Sequence, residues 1–84
     1  MHSTTNSSPE SQSLNDVFAA NVRRVRTSKG LSVAAVARSC GYTPEFVDAV
    51  ENGEAPQLTI DELATFATAL DVDVTELVRR DAHR

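Results

Sequence analysis

The chain has 84 residues, with 40% hydrophobic and 24% charged side chains and a formal net charge of −4. That length suits one small domain with a modest core. No apolar run approaches the ~18 residues of a membrane span, the first residues lack the apolar stretch of a secretory signal, and Cys40, the single cysteine, excludes an internal disulfide or a cysteine-based zinc cluster. The expectation is a soluble, cytoplasmic protein.

Residues 1–12 are mostly Ser, Thr, Asn, Gln and Pro. Such a segment cannot bury enough apolar surface to offset its ordering entropy, so a disordered polar arm is expected there. The domain is expected over residues 13–81, and all of its elements read as helices. In the first, Leu14, Phe18, Val22 and Val25 form one stripe at helical spacing. Ser13 and Asp16 mark its start and Gly30 its end.

A second, short helix follows the cap residue Ser32. Its core side is Val36, Ala37 and Cys40, with Val33 at the edge, and Gly41 stops it. Thr43 and Pro44 open a third helix, as an N-cap followed by proline at the first helical position. That helix runs to Asn52 before Gly53, with Val47 and Val50 inward and Phe46 at the edge. Thr59 and Glu62 form a capping box for a fourth, with Ile60, Leu63, Ala64, Ala67 and Leu70 inward. Asp73 and Glu76 open a fifth, carrying Val74, Leu77 and Val78. No segment alternates long enough to read as a strand.

Charge is unevenly placed. Arg23, Arg24, Arg26 and Lys29 cluster on the first helix, and Arg79, Arg80 and Arg84 lie near the end. Between Ser39 and Val78 there is no Lys or Arg, while Glu45, Asp48, Glu51, Glu54, Asp61, Glu62, Asp71, Asp73 and Glu76 all fall there. An acidic total argues against nucleic acid, because phosphate attraction supplies much of that affinity; the local basic clusters keep the question open.

The second and third helices, joined at Gly41–Tyr42–Thr43, have the helix-turn-helix arrangement. Gly30-Leu31-Ser32, Val36-Ala37, Gly41, Thr43, Val47, Val50-Glu51-Asn52-Gly53 and Ala67-Thr68-Ala69-Leu70-Asp71-Val72 together resemble the lambda-repressor-like (Xre, or Cro-type) family. The resemblance covers about residues 14–80. It implies an all-α, five-helix domain whose third helix enters the DNA major groove, in proteins that are mostly repressors and often dimers on palindromic sites.

By resemblance the DNA-contacting positions are Ser32, Val33, Thr43, Pro44, Glu45, Ala49 and Asn52. Arg26 matches the family arginine that pairs with the glutamate matched here by Glu51. On a helical wheel Arg26 lies about 80° from Phe18, at the edge of the buried stripe, and a partly buried pair would tie the first helix to the third. Asn52 matches a residue that meets phosphate in the family; asparagine also suits a helix C-terminus.

The sequence departs from the family in its reading face. Val33 stands where glutamine commonly bonds phosphate. Pro44, Glu45 and Ala49 stand where base-reading members carry Gln, Arg, Asn, Ser or Lys, whose donors and acceptors match base edges. A carboxylate ~6 Å from a phosphate costs about 0.7 kcal/mol at the dielectric of bulk water. Arg23, Arg24 and Arg38 are placed to reach the DNA backbone, which supports weak, salt-sensitive binding rather than sharp discrimination.

Two readings follow. The first is a small DNA-binding transcriptional regulator with weak or atypical base readout. The alternative is a helix-turn-helix scaffold that has lost readout and binds a protein through Val33, Tyr42, Pro44 and Phe46, an apolar patch rimmed by acids; packing of Phe46 and Tyr42 at the edge of the core is the plainer account of that patch. Val74, Leu77 and Val78 form a stripe suited to a homodimer or to packing on the first and fourth helices. No enzyme, metal or cofactor is expected. His2 and His83 lie near the chain ends, away from any nucleophile, and Cys40 reads as a buried thiol.

Overall fold

The computed structural model describes residues 14–80. The expected polar arm over 1–12, the Ser13 cap, His2, His83 and Arg84 lie outside the described residues. Five helices follow one another: α1 (Leu14–Ser28), α2 (Val33–Cys40), α3 (Pro44–Glu51), α4 (Ile60–Leu70) and α5 (Val74–Val78). There is no strand among the described residues. The architecture is an all-α, lambda-repressor-like helix-turn-helix fold.

Local chemistry sets most of the helix ends. Ser32 Oγ accepts from the Ala35 N–H at 3.0 Å, and Thr43 Oγ1 accepts from the Phe46 N–H at 3.1 Å. Thr59 and Glu62 exchange both bonds of a capping box, at 2.8 and 3.1 Å. These groups satisfy N–H donors that a helix start otherwise leaves unpaired. At the end of α1 the Gly30 N–H reaches the Thr27 carbonyl and the Leu31 N–H reaches that of Arg26. The same pair of bonds closes α3 around Gly53 and α4 around Asp71. Such a closure needs a left-handed residue. Gly53 supplies it at φ 73°, whereas Asp71 does so as the only non-glycine with positive φ among the described residues, at φ 60°. Asn52 is the C-cap of α3, one residue beyond the helix it was expected to finish. Asp73 stands at the start of α5 without a side-chain capping bond.

All five helices feed one core. Phe18, Val22 and Val25 of α1 meet Val36 and Ala37 of α2, Val47 and Val50 of α3, Leu63, Phe66, Ala67 and Leu70 of α4, and Leu77 of α5. At its centre the Phe18 and Phe66 rings pack edge to face, with centroids 5.5 Å apart and planes at 84°.

Several sequence expectations need correction. Phe66 was left out of the inward face of α4, yet it is fully buried, while Ile60 is 78% exposed and Ala64 is also exposed. At 100° per residue, α4 is turned by about 40° from the expected orientation. Leu63, Phe66, Ala67 and Leu70 satisfy the same periodicity as Ile60, Leu63, Ala64 and Ala67, and the larger aromatic surface decides between them. Leu14, expected in the α1 stripe, is 54% exposed, because it occupies the first position of the helix at the rim of the core. Cys40 is half-buried rather than enclosed. Of the two readings of the Val74, Leu77 and Val78 stripe, packing on α1 and α4 holds for Leu77, which has no exposed surface; Val74 and Val78 lean on the same core and keep part of theirs.

Candidate nucleic-acid interface

The candidate interface is built on α2, the turn at Gly41 and α3. Gly41 takes φ 79° and donates to the Ala37 carbonyl at 2.9 Å; the Tyr42 N–H reaches the same carbonyl at 2.9 Å. A residue with a Cβ is disfavoured in this conformation. The turn delivers Thr43 as the cap of α3, and Pro44 follows at the first helical turn, where its missing N–H is not needed. Ser32, Thr43, Pro44, Glu45, Asp48 and Asn52 are exposed, Val33 and Ala49 are half-buried, and Val47, Val50 and Glu51 are buried. Glu45 and Asp48 form no ion pair among the described residues, so the outward side of α3 carries two carboxylates without a countercharge from them in contact.

Behind that face lies a polar cluster linking α1 to α3. The Glu51 side chain is 2% exposed. It accepts from Arg26 Nε at 2.6 Å and from Arg26 Nη2 at 2.9 Å, the paired geometry in which a guanidinium fork fits a carboxylate. Arg26 also donates through Nη1 to the Leu31 carbonyl at 2.8 Å. The guanidinium is held above its usual pKa, chiefly by the hydrogen bond to Glu51, while burial pulls the other way; the charges of Glu51 and Asp48 add to the rise. Arg23 shares the same carboxylate from Nε at 3.5 Å and donates from Nη2 to Asn52 Oδ1 at 3.1 Å.

Arg24 turns the other way, donating to Asn21 Oδ1 at 3.3 Å. Asn21 is buried, and its Nδ2 donates to the carbonyls of Leu77 at 2.9 Å and Arg79 at 3.0 Å, fastening the end of α5 to α1. Sequence reasoning passed over Asn21. Its signal was its position, three residues after Phe18 and four before Val25, which puts an amide on the buried side of α1. Arg38 is exposed in the last turn of α2. The three arginines expected to reach DNA phosphates therefore sit differently: Arg23 and Arg24 are engaged with asparagines, and Arg38 projects from α2.

The expected apolar patch is also dispersed. Val33, Tyr42 and Phe46 are half-buried against the core and only Pro44 is exposed. The Tyr42 ring lies 4.9 Å from Phe46 and 5.6 Å from Phe66, bridging the turn to the centre of the protein. Among the described residues no cluster of His, Cys, Asp and Glu could hold a metal ion, and no helix is long and apolar enough to cross a membrane.

A family model described as a helix-turn-helix domain matches residues 17–79. Among solved structures, the restriction-modification controller protein C.AhdI from Aeromonas hydrophila is 33% identical, with a TM-score of 0.70 over 75% of this chain and 94% of that one. A hypothetical transcription factor from Neisseria, NHTF, is 34% identical, with a TM-score of 0.74 over 80% of this chain and 76% of its own. Hydroxypropylphosphonic acid epoxidase from S. wedmorenis is 34% identical with a TM-score of 0.73, but this chain spans 34% of it, so the likeness is to one part of a larger enzyme. No curated protein matches the sequence.

Proposed function

The chain belongs to the helix-turn-helix domain family, and from that premise we propose how this DNA-binding transcription regulator engages its target. Helix α3 lies at the major groove with its N-terminal end toward the bases, and affinity comes mostly from the backbone. Ser32 and Thr43 bring the starts of α2 and α3 to the phosphates, where helix N-termini favour anions. Arg24 and Arg38 supply charge beside the groove, and Asn52 supplies an amide at the end of α3. Val33 adds apolar contact only. Pro44 and Ala49 present no polar side-chain group to base edges, and Glu45 presents acceptors alone, which suit the amino edge of cytosine.

The observation that carries this reading is the pairing of a complete helix-turn-helix with an outward α3 face that holds carboxylates and no cation. Readout is therefore weak and binding strongly salt-dependent. The solved relatives described as a controller protein and a transcription factor support the regulatory assignment.

Fluorescence anisotropy on random duplex DNA tests it. The two arginine–phosphate contacts predict a loss of about 12-fold in affinity between about 50 and 200 mM salt. Replacing Glu45 and Asp48 together by glutamine should raise affinity, since it removes two charges that phosphates repel. Absence of binding at low salt would sink groove docking and turn the exposed acids and Pro44 into a protein-binding surface. A homodimer through the surface left on Val74 and Val78 completes the proposal; a monomer mass by light scattering at high concentration would remove it.

A further inference from the structure

We propose that Arg23 is a positioning residue: it holds the side-chain amide of Asn52 so that the Nδ2 donors face outward to an anionic oxygen of a bound nucleic-acid backbone. The inference rests on the DNA-binding reading for its function, and on the free protein alone for its geometry.

A guanidinium has five N–H donors and no acceptor. The atom of Asn52 that lies 3.1 Å from Arg23 Nη2 must therefore be the oxygen. With Oδ1 turned toward α1, Nδ2 points the opposite way, and no group of the chain accepts from it among the described residues. Asn52 is exposed, at the mouth of an open groove lined also by Arg23, Arg24, Gly53 and the carboxylates of Asp16 and Glu51. Two amide hydrogens aimed at solvent beside two arginines suit an oxygen that carries negative charge.

Arg23 is itself held. Although 55% of its side chain is exposed, its guanidinium spans Glu51 Oε1 at 3.5 Å and Asn52 Oδ1 at 3.1 Å, and Glu51 is clamped by Arg26. Arg23, Arg24 and Arg26 against Glu51 and Asp16 make three positive charges and two negative around Asn52, a net positive charge of one. The neighbouring arginine offers an internal parallel. Arg24 takes Asn21 Oδ1, and the freed Nδ2 of Asn21 donates to two carbonyls of the α5 end. In both pairs an arginine of α1 settles which way an asparagine amide faces. For Asn21 the acceptors are in the chain; for Asn52 they come from outside.

Lysine at this position keeps the charge but loses the planar fork that bridges two acceptors. The experiment compares the full chain with Arg23→Lys, Asn52→Ala and the double variant. In the free proteins, ¹⁵N relaxation of the Asn52 side-chain amide should show an ordered group that becomes mobile in Arg23→Lys. On duplex DNA at low salt, Arg23→Lys and Asn52→Ala should each weaken binding by about tenfold to a hundredfold, the size of one hydrogen bond to a charged oxygen. The double variant should be no weaker than Asn52→Ala alone, and the salt slope should be unchanged.

An Asn52 amide equally ordered in Arg23→Lys overturns the positioning role, whether or not DNA binds. Additive losses, or wild-type affinity in Arg23→Lys, also overturn it and make Arg23 a direct phosphate contact. If the wild type binds no DNA while the amide loses its order in Arg23→Lys, the DNA reading fails and the positioning geometry stands, with its acceptor then belonging to another polyanion. Circular dichroism of each variant separates these outcomes from unfolding.

Discussion

Replacing Glu51 by alanine leaves the Arg26 guanidinium, 15% exposed in the native protein, without the carboxylate that it meets through two hydrogen bonds of 2.6 and 2.9 Å. Removing one partner of a buried pair typically costs about 3–5 kcal/mol, because the remaining charge stays out of water. Small domains have total stabilities of about 0.05–0.15 kcal/mol per residue, or roughly 4–10 kcal/mol for a core of this size. The substitution should therefore remove a large share of the folding free energy. A loss of about 3 kcal/mol corresponds to a fall in Tm of about 12–24 °C for a domain of this length.

Glu51→Gln keeps the shape but sets an amide donor against guanidinium donors, so it should recover little. The double change Arg26→Met with Glu51→Leu removes both charges and should be much milder than Glu51→Ala, since apolar replacements of a buried pair are often neutral or stabilising. Urea unfolding followed by far-UV circular dichroism measures all of these. A loss below about 1 kcal/mol for Glu51→Ala, the range of exposed pairs, would refute the reasoning. So would a double variant as unstable as the single one.

Three further outcomes follow from the packing. Phe66→Ala should cost about 3–5 kcal/mol through the cavity beside Phe18, whereas Ile60→Ser, on the outward side of α4, should stay within about 0.5 kcal/mol; equal effects in chemical denaturation would contradict the observed rotation of α4. Asp71→Gly should stabilise the fold by about 0.5–1 kcal/mol, because it relieves a left-handed non-glycine residue and removes a carboxylate from a helix C-terminus. Asp71→Asn isolates the charge contribution, and a lower denaturation midpoint for Asp71→Gly would show that Asp71 makes a compensating interaction.

The third concerns Cys40, whose thiol burial pushes up in pKa. The folded state binds this proton more tightly than the unfolded chain does. The resulting stabilisation is complete below the ordinary thiol pKa, about 8.5, and is lost as pH rises through the elevated folded value. Folded protein should alkylate with iodoacetamide more slowly than urea-unfolded protein at the same pH, and equal rates would contradict the burial effect.

Much of this fold was legible in the amino-acid order because its signals are local. Ser32, Thr43 and the Thr59–Glu62 box act within one turn of backbone, and Gly30, Gly41 and Gly53 take conformations that follow from having no Cβ. The helices and their order depend on such short-range terms, so sequence alone determined them. The lack of basic residues on the outward side of α3 was likewise visible, since position on a helix follows from spacing.

Tertiary structure decided what spacing left degenerate. Two overlapping apolar stripes on α4 satisfied the same period, and contact between Phe66 and Phe18, distant in sequence, selected one. The spacing of Val74, Leu77 and Val78 suited either a partner or packing on α1 and α4, and the closing of α1 and α4 over Leu77 decided for packing there. The partner of Arg23 lies beyond two turns whose geometry no local rule supplies, so it took the packed chain to bring Asn52 to it, and likewise to bring the end of α5 to Asn21. Caps and turns are set by atoms a few bonds apart; the rotation of a helix and the facing of an amide are set by whichever distant surfaces bury the most apolar area and leave the fewest polar groups unpaired.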